Sequence, residues 1–320
     1  DMKPKKCLIF GASGFIGRHL VRKLTKNNFK VTAVTRNVHQ KGYLLRTQGN
    51  PGYIEVVECN LFDKNKISNL MKDADICINL VGILFQKRKI DTFENIHEKF
   101  PNLLSILCNE NNVNKFIHLS ALGVEKAEDS LYAKSKLNGE QSIKKNFKKA
   151  NILKPSVVYS VDDNFTTNFM TILGISPIFP LYYNGDTLFR PIHVSDLTEI
   201  IYQVISKNIE SETIECIGPE EISFKEIIKK LLRLIGKKRF LFPMPLFLAK
   251  ISTFFLELFP KPLITQDQLK LLKYSNIPSG KYKTNYDLNI PSVANFENEV
   301  NKYAYMWKDG GQFSKLYKEN

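Results

Sequence analysis

Short apolar runs alternate with longer amphipathic stretches through the first half of this chain. The runs fall at residues 7–10, 31–35, 54–58, 75–80, 116–120 and 152–154, and they read as strands. Between them, residues 16–26, 91–109 and 130–147 carry apolar positions at helical spacing. Alternation of this kind, at βαβ spacing, predicts an α/β fold with a Rossmann-type, doubly wound parallel sheet covered on both faces. Beyond about residue 160 the pattern loosens and prolines gather, at 177, 180, 191, 219, 243, 245, 260 and 262. A smaller mixed C-terminal lobe is expected there. The predicted division is residues 1–160, rejoined by 190–217, and a second unit of residues 161–189 and 218–320. Within the rejoining stretch, residues 213–217 are expected to return to the main sheet.

The chain has 320 residues, more than one hydrophobic core usually serves, which supports two lobes. At 43% hydrophobic and 24% charged residues it is neither disordered nor fibrous. Five cysteines form no CxxC pair and no ligand-like cluster with the five histidines, so neither a disulfide framework nor a metal site is expected. The start of the chain is basic, but the apolar run after Lys6 is too short for a secretory signal, and no uncharged run is long enough to span a bilayer. Lys and Arg exceed Asp and Glu by 46 to 32, a net charge of +14. The lysines are dispersed in short groups such as Lys144-Lys145 and Lys237-Lys238-Arg239. Solvated helix faces or attraction to an anionic membrane account for this better than nucleic acid, and no nucleic-acid partner is expected.

Candidate chemistry begins at the first strand. Gly11, Gly14 and Gly17 follow it in the spacing GxxGxxG and open a helix. Gly11 permits a sharp turn, Gly14 lets backbone amides approach a pyrophosphate, and Gly17 lets the helix pack closely on the strand. The backbone through Ser13, Phe15 and Ile16 would then face the anion at the helix N-terminus. The second strand, Lys30–Thr35, ends in Arg36 where a carboxylate would accept from an adenosine ribose 2′-hydroxyl. A guanidinium suits a 2′-phosphate instead, and Arg18 stands within reach of the same group, so NADP(H) is favoured over NAD(H). Asn60 and Leu61 after the third strand are candidates for the adenine edge. Leu80, Val81 and Gly82 after the fourth leave room for the cofactor.

Ser120 ends the fifth strand, and Tyr132 and Lys136 follow at helical spacing, which puts phenol and ammonium on one face. A tyrosine acting as acid or base near neutral pH would have to titrate roughly three pH units below its ordinary value near 10, about 4 kcal/mol of stabilisation. A nearby ammonium has the right sign. In that arrangement Ser120 bonds a substrate oxygen and Lys136 also holds the nicotinamide ribose.

These residues carry a resemblance. The GASGFIG turn, Ser120, YAKSK and Lys154-Pro155-Ser156 together resemble the extended and atypical short-chain dehydrogenase/reductases, over roughly residues 5–220. The later segments KPSVVYSVDDNF, FRPIHVSDL and LITQDQLKLLKYSNI are similar to the atypical branch that holds the NAD(P)H-binding accessory subunit of respiratory complex I and its bacterial relatives. This resemblance implies a tightly held NADP(H) with a mainly structural or assembly role, and places Pro155 beside it. It also implies respiratory subunits and a membrane surface as partners, at the inner cytoplasmic face in a bacterium or the matrix side in a mitochondrion. A reductase or sugar-nucleotide epimerase using Ser120, Tyr132 and Lys136 is the alternative. Asn60, where relatives usually carry Asp, and Ser160, where many carry Gly, depart from the pattern.

Residues 245–259, PLFLAKISTFFLELF, form a nearly apolar helix on which Lys250, Thr253 and Glu257 line up as a narrow polar stripe. Most of its circumference seeks cover, from the other lobe, a partner or a membrane interface. His118 is expected to be a bonded core histidine, and His193 to fix the start of the helix at Ser195.

Overall fold

The structure, a computed structural model, describes residues 3–87 and 89–314. The first two residues of the 1–160 unit and the last six of the chain lie outside them. The main sheet is built from β1 (Lys6–Phe10), β2 (Lys30–Thr35), β3 (Ile54–Glu58), β4 (Ile76–Asn79), β5 (Lys115–Leu119) and β6 (Asn151–Pro155). Thr213–Cys216 and Lys283–Thr284 extend it beyond β6. From one edge the order is β3, β2, β1, β4, β5, β6, then the two later strands, all parallel. The chain therefore reverses direction across the sheet between β1 and β4, where α/β sheets bind ligands.

Alternation along β1 shows why this strand is apolar after its first residue. Cys7 and Ile9 pack on one face with Leu20 and Leu24 of α1 (Phe15–Lys26) and with Leu197 and Ile201. Leu8 and Phe10 pack on the other face with Phe100, Leu104 and Ile143. A strand buried on both sides needs hydrophobic residues at every position. The three further helices of this half are α2 (Val38–Arg46), α3 (Lys64–Met71) and α4 (Phe100–Glu110), and α5 (Leu131–Asn146) follows β5.

The predicted helix over 91–109 is in fact two segments. Glu94–Lys99 is a π-helical turn that runs into α4. Pro101 stands in its second position and has no N–H for the carbonyl of His97, four residues back. A Cβ on Gly139 of α5 would lie 2.0 Å from that same carbonyl oxygen, so only glycine allows the two helices this approach.

A third core gathers Met170, Phe179, Phe224, Ile227, Leu231, Phe296 and Trp307 with Tyr159. Above it, Ile178–Tyr182 pairs with Phe240–Met244 in a small parallel sheet. The segment after residue 218 does not stay in this part of the molecule, since Lys283–Thr284 forms the edge of the main sheet. The apolar helix spans Leu246–Leu256, and its orientation inverts the one a polar stripe suggests. Thr253 and Ala249 are its buried positions, while Phe247, Ile251, Phe254 and Phe255 are all more than half exposed. Burial between the lobes is not its fate. Among the described residues no helix is long and apolar enough to cross a membrane.

Candidate dinucleotide site

The strand ends that meet at the carboxyl edge of the sheet carry the residues singled out above. Gly11, directly after β1, has φ +77°, and a Cβ there would lie 2.9 Å from the carbonyl carbon of Leu80. Gly17 is enclosed too, since its Cβ would sit 2.4 Å from the carbonyl oxygen of Gly11. Gly14 is different. A Cβ on it would meet only that oxygen, at 3.5 Å, so nothing within the protein requires glycine there. It is exposed, it precedes the first turn of α1 with no side chain capping the helix, and no acidic residue stands in that turn. A positive helix end left bare behind a missing side chain fits a large anion, as a pyrophosphate-binding turn demands. The Ser13 hydroxyl accepts from Thr35 at 3.3 Å, which ties the turn to the end of β2, and Ile16 packs onto the core below.

The two arginines differ in what holds them. Arg18 donates to Asp162 at 2.8 Å and to the Ser13 carbonyl at 2.9 Å. His19 and Ser160 also bond Asp162, and these bonds hold its carboxyl well below the ordinary range despite burial. Arg18 thus clamps the glycine turn to the segment after Tyr159 instead of reaching toward the ribose side. Ser160, the position that departs from the expected glycine, is part of this clamp. Arg36 is half exposed at the end of β2 and pairs with Asp91 at 2.6 Å. Asn60 is exposed after β3, beside buried Leu61.

At the end of β4 a pair of histidines sets the backbone. His97 accepts from the Ile83 amide at 3.0 Å and meets the Ser135 hydroxyl at 2.9 Å through its other nitrogen. Ser135 in turn donates to the Tyr132 carbonyl, so His97 carries its proton on Nδ1 and is neutral. Burial, and then Lys136, push its pKa far below the ordinary value. His97 therefore fixes the Val81–Ile83 backbone against α5. Sequence reading missed this residue, because a histidine within a helical stretch gives no sign of its partners. Asn79 accepts from the Val81 amide and bonds His118, which is buried as expected, with a pKa lowered to about 3 by burial.

Tyr132 and Lys136 lie on α5, with the ammonium 5.9 Å from the phenol ring. His97 and Phe93 meet that ring edge-on at 5.3 and 5.8 Å. The N-terminus of α5 is held from far along the chain. Asp267 accepts from the Ser130 hydroxyl at 2.8 Å and from the Leu131 and Tyr132 amides at 2.7 and 3.0 Å. Burial, then Asp267, raise the Tyr132 pKa to about 12, the opposite of what proton transfer near neutrality requires. Burial lowers Lys136 to about 8. A Cβ on Gly82 would lie 3.1 Å from the Lys136 ammonium, a close contact that a small shift of that side chain relieves.

Ser120 does not join this pair. It is buried, and its hydroxyl donates to Glu140, which also bonds Lys154; Lys154 in turn bonds Glu125. Pro155, at the end of β6, is buried and its carbonyl accepts from Leu122 at 3.0 Å. His193 caps the helix Val194–Ser206, as expected, while Asp196 bonds the Val293 and Ala294 amides instead of its own first turn. No metal-ligating group of three or more residues occurs among the described residues.

The profile of the NAD dependent epimerase/dehydratase family matches residues 7–217, the stretch that holds every strand end just described. The chain belongs to this family. Over 271 residues it is 25% identical to the protein named NADH dehydrogenase [ubiquinone] 1 alpha subcomplex subunit 9, mitochondrial, of Mus musculus, covering 84% of this chain and 72% of that one. It is also 25% identical over 293 residues to the NADH-ubiquinone oxidoreductase 40 kDa subunit, mitochondrial, of Neurospora crassa, covering 90% and 76%. Among solved structures, the UDP-glucuronic acid 4-epimerase of Bacillus cereus, in complex with UDP-glucuronic acid and NAD, superposes with a TM-score of 0.69 over 93% of this chain and 98% of that one. At 20% identity this likeness speaks for the fold. The expected membership among extended dehydrogenase/reductases and the expected doubly wound sheet are both borne out.

Proposed function

We propose that this protein is an NADP(H)-binding accessory subunit of a complex I-type respiratory assembly, with the nucleotide in a mainly structural role. The proposed cofactor residues are Gly11 and Ser13 to Gly17, with Arg36, Leu80 to Gly82, Tyr132, Lys136 and Pro155. The nucleotide would supply hydride chemistry, but the chain's own groups are arranged for holding. Tyr132 is a reluctant acid, and Ser120 is committed to Glu140. The names of the relatives support the respiratory reading.

The observation that carries the reading of the partner is the outward face of the Leu246–Leu256 helix. Exposed apolar side chains continue from Phe240 through it to Leu258, Phe259 and Leu263. Monomeric proteins rarely leave a contiguous surface of this kind uncovered. Lys238, Lys250 and Lys261 are exposed along the same segment, as a surface resting on anionic headgroups requires. The proposed location is the membrane surface on the cytoplasmic face of a bacterium or the matrix side of a mitochondrion.

The test is affinity purification from mild-detergent extracts of membranes, with mass spectrometry of protein and nucleotide. The full chain is expected to bring down respiratory subunits and NADP(H). The double variant Phe247→Asp and Phe254→Asp, at positions already facing solvent, is expected to keep the nucleotide and lose the subunits. Recovery of no respiratory subunit with the unaltered protein would defeat the reading.

A further inference from the structure

The Arg36–Asp91 pair joins two strand ends of the candidate site. Arg36 is the first residue after β2, where α/β dinucleotide sites discriminate the 2′ substituent of the adenosine ribose. Asp91 belongs to the long connection between β4 and the Glu94–Lys99 turn. That connection is bonded to itself. The Phe93 amide donates to Gln86 at 3.0 Å, the Asn95 side chain donates to the Lys89 and Ile90 carbonyls at 3.3 and 3.1 Å, and Thr92 accepts from the Asn95 amide. Asp91 is thus presented by a braced loop. Its carboxylate meets the Arg36 guanidinium at 2.6 Å, with the aspartate mostly covered and the arginine about half exposed.

A guanidinium already bonded to a carboxylate is not a free phosphate receptor. Only the Nη1 donor of Arg36 is engaged, so a 2′-phosphate that bonds the guanidinium must either displace Asp91 or settle beside a second negative charge that has already neutralised it. A 2′-hydroxyl is neutral and meets no such competition. We infer that Asp91 is a specificity-determining residue, an internal competitor for the adenosine 2′-phosphate that tempers the preference for NADP(H) which Arg36 creates. This inference rests on the reading of Arg36 given above.

Direct binding of NADPH and NADH to the full chain, by quenching or calorimetry at low and moderate salt, tests it. Asp91→Asn is expected to tighten NADPH by roughly three- to fivefold, the upper range of an exposed charge pair at low ionic strength, and to leave NADH within about twofold. Raising the salt should shrink the NADPH gain. Asp91→Glu, which keeps the charge, should retain the unaltered selectivity. Unchanged or weaker NADPH binding in Asp91→Asn, or equal tightening of both nucleotides, overturns the inference. Arg36→Gln separates the two levels of the argument. If it lowers NADPH affinity alone while Asp91→Asn changes nothing, Arg36 selects the phosphate and Asp91 does not compete. If it leaves the ratio of the two affinities unaltered, the NADP(H) reading itself falls, and the role of Asp91 falls with it. Thermal unfolding midpoints within a few degrees of the unaltered protein confirm that the variants are folded.

Discussion

Replacing Lys154 by methionine is expected to destabilise the fold by about 3–5 kcal/mol at pH 7, the usual cost of deleting one partner from a buried ion pair. Lys154 is fully buried in β6, and its ammonium bonds Glu125 and both oxygens of Glu140, at 3.1 and 3.2 Å. Glu140 is itself almost fully buried on α5. Its pKa is already raised by burial, with Lys154 and the Ser120 hydroxyl opposing that shift. Methionine has nearly the shape of lysine, so the loss is electrostatic and leaves two carboxylates with no cation. A carboxylate whose folded-state pKa is raised costs in full only above that raised value, and costs nothing once both states are protonated. The deficit of the variant is therefore expected to shrink as pH falls from 7 toward the ordinary glutamate range. Urea unfolding of both proteins at pH 7 and pH 5 measures this. Adding Glu140→Gln to Lys154→Met should recover most of the loss, because the interaction, not the volume, was removed. A deficit independent of pH, or no rescue by the second change, would mean that the network is not what makes Lys154 valuable.

How far such features can be read from sequence depends on the distance over which their cause acts. Strands such as β1 and β4 were legible because burial on both faces imposes a local composition. The glycine turn was legible because Gly11 and Gly17 answer to a backbone only a few residues away or to the strand exit beside it, and Gly14 stands between them at the spacing an anion-binding turn uses. Lys283–Thr284 was not, since two residues are too few to carry a period and their place is set by Thr213–Cys216 alone. The roles of charged residues were the hardest to foresee. Arg18 finds Asp162, Arg36 finds Asp91 and Ser120 finds Glu140, each across a gap that the fold closes and the pattern does not record. The apolar helix shows a different limit. A helical wheel tells which stripe is polar, but whether that stripe faces water is settled by what lies beneath it, and here Thr253 points inward. Asp267 makes the point most sharply, because it caps the helix of Tyr132 from a segment more than 130 residues away.

The same substitution at a second buried lysine is expected to have the opposite sign. Lys136→Met should stabilise the nucleotide-free protein at pH 7 by about 1–3 kcal/mol. Lys136 is buried on α5 like Lys154 on β6, but its ammonium has no hydrogen-bond or ion-pair partner among the described residues. It lies over the Tyr132 ring at 5.9 Å and feels Glu140 only at a distance. Burial lowers its pKa from the ordinary 10.5 to about 8. At about 1.4 kcal/mol per pH unit, that difference is a folding penalty of roughly 3 kcal/mol. Below pH 8 both folded and unfolded chains carry the proton, so the penalty is present in full. Between pH 8 and 10.5 the folded chain releases the proton while the unfolded chain keeps it, and the penalty fades. The advantage of the methionine variant is thus expected to be greatest at neutral pH and to close as pH approaches 10. Tyr132, raised to about 12, titrates in both proteins and so cancels from the comparison. Denaturant midpoints at pH 7 and pH 10 provide the measurement, and a variant no more stable than the unaltered protein at pH 7 would contradict it. A lysine kept at such a cost, with no partner among the described residues, is expected to find one in the dinucleotide, so the stabilised variant should bind NADPH more weakly. Lys154 is retained for the fold, and Lys136 is retained against it.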